Sequence, residues 1–264
     1  RGKDLQRLGI EVHHDAPEVG QNLQDHIDFI LAYKTDQAEA TGLGLGLKGT
    51  QIVLRDMLKW RRDGKSLIAS PGSEAGAFLR TEADLDRPDI QLHFVPSIVD
   101  DHARKLHIGY GYSCHICVLR PKSRGSVNLM TADPHAAPAI DPGFFRDEAD
   151  MATMLKGVKM TRQIMEVPQL ARYQTQEIYT AGVTEDTALE THIRDRADTV
   201  YHPVGTCRMG SDASAPCDPQ GRVNGVGALR VVDASLMPAL IGGNTNAPTI
   251  MMAEKIAAEM RAAS

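Results

Sequence analysis

Aromatic side chains are scarce in this chain: six tyrosines, five phenylalanines and one tryptophan amount to 5% of 264 residues. A cage that recognises a quaternary ammonium is normally built from such rings, so this composition argues against one. Positive charge is also in deficit, with 29 Lys and Arg against 34 Asp and Glu, a formal charge of −5 and a pI near 6.1. That balance gives no electrostatic case for a nucleic-acid partner or for an anionic membrane surface. No apolar run approaches the ~20 residues that span a bilayer, and the start, RGKDLQRLG, is not a signal peptide. A cytoplasmic compartment is the expectation, with peripheral attachment at the inner membrane as the alternative.

Cysteine is too rare for a secreted disulfide framework, at four in 264 residues. Cys114 and Cys117 form a CxxC, but they lie in HIGYGYSCHICVLRP, where Ile108, Tyr110, Tyr112, Cys114, Ile116 and Val118 alternate. In a strand, positions three apart point to opposite faces, so the two thiols would share neither a metal nor a redox bond. His13, His14 and Asp15 precede a proline turn without a second cluster at metal spacing, and are expected in solvent. No metal site is expected. A GxSxG elbow is missing too, which leaves no marked nucleophile for a serine hydrolase.

One GxGxxG is present, from Gly44 to Gly49, preceded by the polar stretch TDQAEAT, while the candidate strand IDFILAY ends at Tyr33. A phosphate cradle needs a buried strand running straight into the turn, so a flexible loop leading to a helix is the better reading. That helix, near 50–62, carries Ile52, Val53, Met57 and Trp60 and stops at Gly64, with Trp60 expected to be packed. The surrounding segment, about 36–72, reads as a lid over a cleft.

From about 74 to 131 the chain is strand-rich. EAGAFLR, DIQLHFVPSIV, the HIGYGYSCHICVL run and SVNLMT alternate or are β-branched, which suggests one antiparallel sheet with a wet face. His93 sits on an alternating strand as a structural histidine. From 147 to 166 the period becomes helical, with Met151, Met154, Leu155, Val158 and Met165 on one face. A further helix starts at Thr184, places Glu185 and Asp186 in its first turn and buries Leu189 and Ile193. Helices following an antiparallel sheet describe an α+β domain with helices on one face. At the other end, LQRLGIEV reads as the end of a helix with nothing before it to cover it, as in the middle of a longer polypeptide.

Two stretches carry the chemistry. VYHPVGTCRMG, 200–210, holds His202 between an aromatic residue and a proline, followed by a glycine turn. LRVVDASLMPALIGGNTNAPTIMMAEKIA reads as a buried strand ending at Asp233, a loop with Asn244 and Asn246, and a helix with Pro248 in its first turn. An imidazole titrating near pH 6.5 can serve as a base, and an amide beside it can hold an oxygen without competing for its proton. Of the two asparagines, Asn244 suits that amide role and Asn246 the helix cap.

Five motifs occur in one order: VGQNLQDH at 19–26, EAGAFLR at 74–80, SRGSVNL at 123–129, HPVGTCRMG at 202–210 and VVDASLMP at 231–238. Together they resemble the carboxyl-terminal part of the glucose–methanol–choline family of FAD-dependent alcohol oxidoreductases, nearest its bacterial alcohol and choline dehydrogenase branch. The resemblance implies an α+β substrate domain plus returning segments of an α/β FAD-binding domain, whose amino-terminal half with its glycine-rich turn would precede this chain. It implies residues 1–35 as FAD-domain segment and flap, 36–199 as substrate domain with its lid, and 200–264 as histidine motif and return to the FAD domain. His202 would be the general base with Asn244 beside it. Asp233, Ala234, Asn244, Thr245 and Asn246 would meet FAD, and Glu74 the substrate. The implied reaction is oxidation of a primary alcohol to an aldehyde, with a quinone or other electron acceptor and the amino-terminal FAD-binding half as partners. The alternatives are an alcohol or choline oxidase using dioxygen and a non-catalytic substrate-binding fragment without its flavin half.

Overall fold

The computed structural model describes residues 1–37, 44–101 and 104–263. Along the chain the elements are α1 (Gly2–Arg7), β1 (Ile27–Thr35), β2 (Gly44–Leu45), α2 (Leu47–Asp63), β3 (Ala75–Leu79), β4 (Ile90–Val95), β5 (Gly109–Val118), β6 (Ser126–Asn128), β7 (Ala139–Asp141), α3 (Glu148–Met165), α4 (Pro168–Ala171), β8 (Gln176–Ile178), α5 (Asp186–Arg196), β9 (Asp198–Thr199) and α6 (Asn246–Ala263). They divide into two compact units: Arg1–Ile27, Leu119–Asp150 and the chain from Thr199 onward form one, and Asp28–Val118 with Met151–Asp198 the other.

The second unit is the α+β part. Its sheet runs β3-β4-β5-β1-β8, with β2 added on β5; β3–β4, β4–β5, β2–β5 and β1–β8 pair antiparallel. On one face α3 buries Met151, Met154, Leu155, Val158 and Met165, the stripe expected from the sequence, and α5 buries Leu189 and Ile193. A Cβ on Gly157 would lie 2.8 Å from Ile90 and 3.2 Å from Ile116, so the glycine is what lets α3 lie close on the sheet.

The other face is polar but not wet, which corrects the expectation. His93 faces His115 and Gln91 faces Cys117 across β4–β5, and Asp28, Gln91, Ser113 and Cys117 are buried. The Asp28 carboxylate takes hydrogen bonds from His115 Nδ1 (2.6 Å) and from the Cys117 thiol (3.3 Å). Burial pushes the His115 imidazole down, but the adjacent carboxylate prevails and raises it. Cys114 lies opposite Phe94 on the apolar face, its thiol pushed up to about 12 by burial. The strand thus parts the two thiols, as their spacing requires.

Several boundaries differ from the sequence reading. IDFILAY extends to Thr35 and lies between β5 and β8, not with residues 1–35 as one segment. Ile27, Phe29 and Leu31 are at most 1% exposed and Asp28 is buried as well, the pattern of a central strand covered on both faces. SVNLMT is not in this sheet either. Its first residues form β6, paired with β7 in a separate two-stranded sheet of the first unit. The cause is local pairing: Gly125 exchanges backbone hydrogen bonds with Leu23, and Val127 N–H donates to Gly20. Asp150 then accepts the N–H groups of Lys122 and Ser123. Residues 119–150 therefore interrupt the block expected over 36–199.

The GxGxxG has a packing explanation. Gly44 is in β2, Gly46 precedes α2, and a Cβ at any of the three glycines would meet the Tyr110 ring or its hydroxyl within 3.2 Å. The Gly49 N–H, the kind a phosphate would use, donates to Tyr110 Oη at 3.0 Å. Helix α2 ends at Gly64, whose φ of +68° is the left-handed cap expected there. Trp60 is 52% exposed and Met57 51%, against the expectation that Trp60 is packed. The buried positions of the helix are Gly49 and Asp56, the latter accepting Leu67 N–H at 2.9 Å. Of the expected lid, residues 38–43 lie outside the described residues.

A buried carboxylate ties this unit together. Asp100, 2% exposed, accepts hydrogen bonds from Tyr179 Oη (2.6 Å), His107 Nε2 (2.7 Å) and Arg196 Nη2 (2.5 Å), and the Arg196 guanidinium lies 3.6 Å over the Tyr179 ring. Burial opposes its charge, yet the three donors win and hold its pKa at about 2, against 3.8 for an ordinary aspartate. A depressed carboxylate contributes stability that is present above the ordinary value and lost as pH falls through the folded one. Thermal melts should show this contribution disappearing between about pH 4 and pH 2. Asp100→Asn should lose about 3 kcal/mol or more at neutral pH and flatten that acid limb; a wild-type melting profile in the variant would show the cluster to be dispensable.

Candidate active site

The site lies within the first unit and starts with a strained turn. Tyr201 adopts φ +67°, uncommon for a residue with a side chain, and this turns Tyr201 outward (66% exposed) and His202 inward (9%). One carboxylate holds the turn. Asp25 accepts the His202 N–H at 3.0 Å and the Thr199 hydroxyl, and Thr199 Oγ1 accepts the Tyr201 N–H at 2.7 Å. Two residues on, Val204 and Gln24 exchange backbone hydrogen bonds of 2.8 and 3.0 Å. Gly205 has φ +94°, and a Cβ there would lie 2.5 Å from the Asn22 carbonyl, so the glycine of HPVG is a steric requirement.

The loop before α6 is held by the same short motif. Gln24 donates through its side-chain nitrogen to Pro238 O (3.1 Å) and accepts Leu240 N–H through its side-chain oxygen (3.1 Å). His26, fully buried, places Nε2 2.9 Å from Ile241 O and Nδ1 2.9 Å from His202 Nδ1. On the far side of the His202 ring, Nε2 lies 3.5 Å from the Asn244 side-chain nitrogen, the outer edge of hydrogen-bond reach. Val204, Met237 and Leu240 form the small core beneath, with Ala234, Ile241 and Met252 against it.

His202 and Asn244, forty-two residues apart, are thus brought together. Thr245 follows, buried, and Asn246 opens α6 as its first helical residue; the capping place falls to Thr245, which corrects the sequence reading. The buried strand expected to end at Asp233 is not formed. Among the described residues only an isolated Arg222–Arg230 bridge pairs this stretch, and Val232 is 38% exposed. A strand needs a partner ladder, and a single bridge does not make one. Asp233 instead caps a 3-10 turn, Ala234–Leu236, by accepting Ser235 N–H at 2.8 Å. Cys207 N–H and Met209 N–H donate to Ser235 and Leu236 carbonyls, so the histidine segment and the DAS turn run side by side. Glu74 belongs to the other unit, exposed at the start of β3, with its N–H bonded to Phe94 O at 3.1 Å.

The family model described as GMC oxidoreductase matches residues 121–253, half of the chain, and includes both His202 and Asn244. This chain is a member of the GMC oxidoreductase family. An alcohol dehydrogenase [acceptor] of Pseudomonas putida is 44% identical over 96% of the chain and 46% of its own length. An oxygen-dependent choline dehydrogenase of Pseudomonas savastanoi pv. phaseolicola is 40% identical over 97% of the chain and 45% of its own length. Among solved structures, a formate oxidase of Aspergillus oryzae RIB40, studied for modification of its FAD, superposes with a TM-score of 0.88 at 23% identity, covering 98% of this chain and 50% of that one. The GMC chain therefore spans about half the length of the curated relatives it matches.

Sequence reading of this GMC chain passed over Asp25 and His26 as site residues, although both stand in the quoted motif VGQNLQDH. A signal was present: two polar side chains, one ionisable and one titratable, directly before an apolar strand, where only paired groups are tolerated. His93, read from sequence as structural, lies in the other unit with its Nε2 buried without a hydrogen-bond partner and its pKa pushed down by burial. Asp25→Ala would leave the buried His202 N–H unsatisfied, at a cost of about 1–3 kcal/mol. Denaturant unfolding of the whole protein should register that loss; an unchanged midpoint would mean that the turn holds itself.

Proposed function

We propose that this chain is the carboxyl-terminal part of an FAD-dependent enzyme that oxidises a primary alcohol to an aldehyde, with His202 as the base. The observation that carries this reading is the placement of His202 Nε2 and the Asn244 amide on one side of a turn that Asp25 and Gln24 hold rigid. A hydroxyl between them could give its proton to Nε2 while its oxygen accepts from the amide, at about 3 Å from each. FAD, when bound, supplies the acceptor for the hydride leaving the carbon, which no side chain can take.

The residues fit that cofactor. The first turn of α6 carries no acid, unlike those of α3 and α5, and Asn244 and Asn246 are exposed beside it. Its first-turn N–H groups and positive end suit an electron-rich ring edge, and Gly243 leaves space where a side chain would otherwise stand. Asp233, Ala234 and Thr245, in the same unit, are proposed as further FAD contacts. The first unit would then belong to the FAD-binding part and the second to the substrate side, with 36–72 as its lid. The partners proposed are the amino-terminal FAD-binding half, a small alcohol, and a quinone or other electron acceptor. Among the described residues no helix is long and apolar enough to cross a membrane.

In the complete protein His202→Ala should keep its yellow colour while reduction by alcohol slows at least ~100-fold, the scale of a lost general base. Reduction at the wild-type rate would remove His202 from the chemistry. Glu74 is proposed to meet the cation when the alcohol carries one. Glu74→Gln should then raise KM for choline about 2- to 5-fold, the size of a solvent-accessible ion pair, and leave KM for a neutral alcohol unchanged; equal effects on both would deny it that role.

A further inference from the structure

We infer that His26 is a positioning residue that locks His202 in its Nδ1–H tautomer, so that Nε2 is the nitrogen left to accept a proton. This rests on the reading of His202 as base, and it specifies which atom acts and why.

Ile241 O can only accept, so His26 Nε2, 2.9 Å away, must carry the hydrogen between them. A neutral imidazole has one N–H, hence His26 Nδ1 holds a lone pair. The contact of 2.9 Å between the two Nδ1 atoms then requires the hydrogen to sit on His202. His202 spends its single N–H there, and Nε2 keeps its lone pair toward Asn244. The rings meet edge to edge, at 87° and 5.0 Å between centroids, so they share the N···N axis and are not stacked.

The opposite assignment needs a second proton on His26, with His202 Nδ1 accepting and Nε2–H facing the site. That would put a cation on a ring with no exposure at all. Asp25, the neighbouring carboxylate, directs its oxygens to Thr199 and to the His202 N–H, and the Arg120 guanidinium packs against Gly242, one residue beyond Ile241. A neutral relay ending on a carbonyl therefore decides the tautomer.

When Nε2 takes the hydroxyl proton, the ring becomes cationic and its Nδ1–H···Nδ1 bond to His26 becomes charge-assisted, strengthening as charge develops. An imidazole with a carbonyl behind it holds the tautomer without setting a second charge beside the ring, as a carboxylate in that place would. His26 touches none of the reacting atoms, and its effect runs entirely through His202.

The test uses the complete, FAD-loaded protein. His26→Leu keeps the volume and removes the relay; His26→Gln restores both functions, its side-chain oxygen accepting and its nitrogen donating. We expect His26→Leu to retain flavin, to melt a few degrees lower because Ile241 O and the His202 ring N–H lose their partner, and to lower the rate of reduction by alcohol about 10- to 100-fold, with a displaced pH profile and little change in KM. His26→Gln should recover most of that rate. Nitrogen-15 spectra of histidine-labelled protein, with the His202 signals identified by their loss in His202→Ala, should show protonated Nδ1 and bare Nε2 in the wild type. A protonated Nε2 there, or a wild-type rate and pH profile in His26→Leu, overturns the relay even where His202→Ala is inactive. Should His26→Leu fail to fold, the wild-type spectrum and His26→Gln still decide.

Discussion

Four of the five residues from Asn22 to His26 hold the candidate site together by bonding to two distant stretches of chain. Asn22 lies against Gly205, Gln24 reaches Val204 on one side and Pro238 and Leu240 on the other, Asp25 takes the His202 turn, and His26 joins Ile241 to the His202 ring. The positions brought together lie some 180 and 215 residues from the motif, and closing such loops costs entropy that no single hydrogen bond would offset. Spreading the contact over backbone and side chains of one short segment makes the closure cooperative. A base needs that rigidity, since its value lies in holding one lone pair at one place.

Burial and polarity are combined differently in the two units. In the first, polar groups form an ordered chain from a carbonyl through two buried imidazoles to an exposed amide, each link specified by its neighbour. In the second, Asp28 and Asp100 are buried carboxylates surrounded by donors, where the same low-dielectric setting makes pairing obligatory. The Asp100 cluster joins the segment after β4 to α5 and serves the fold. The Asp28, His115 and His93 row lies on the polar side of the sheet.

Much was legible along the chain because local periodicity survives folding. The methionine stripe of α3, the left-handed stop at Gly64 and the alternation through Cys114 and Cys117 follow from spacing and residue type, whereas the nearness of His202 and Asn244 was implied by the family resemblance. Trp60 and the GxGxxG were less transparent. Both depend on which side of α2 meets Tyr110, and no pattern within the helix records that. The stretch before Asp233 was misread because β-branched composition describes a segment able to pair and says nothing of whether a partner lies beside it.

By itself, then, the order of residues determined which side chains could act: one imidazole in a stiff turn, two amides before a helix, and glycines where the backbone must bend or approach closely. These are consequences of covalent geometry and local sterics, which travel with the sequence. Only tertiary structure decided that His26 stands behind His202, that Asp25 seizes its backbone, and that residues 119–150 leave the sheet unit. Such pairings are made between groups more than a hundred residues apart or by whole segments, and they are set by which buried donors and acceptors find one another when the chain closes.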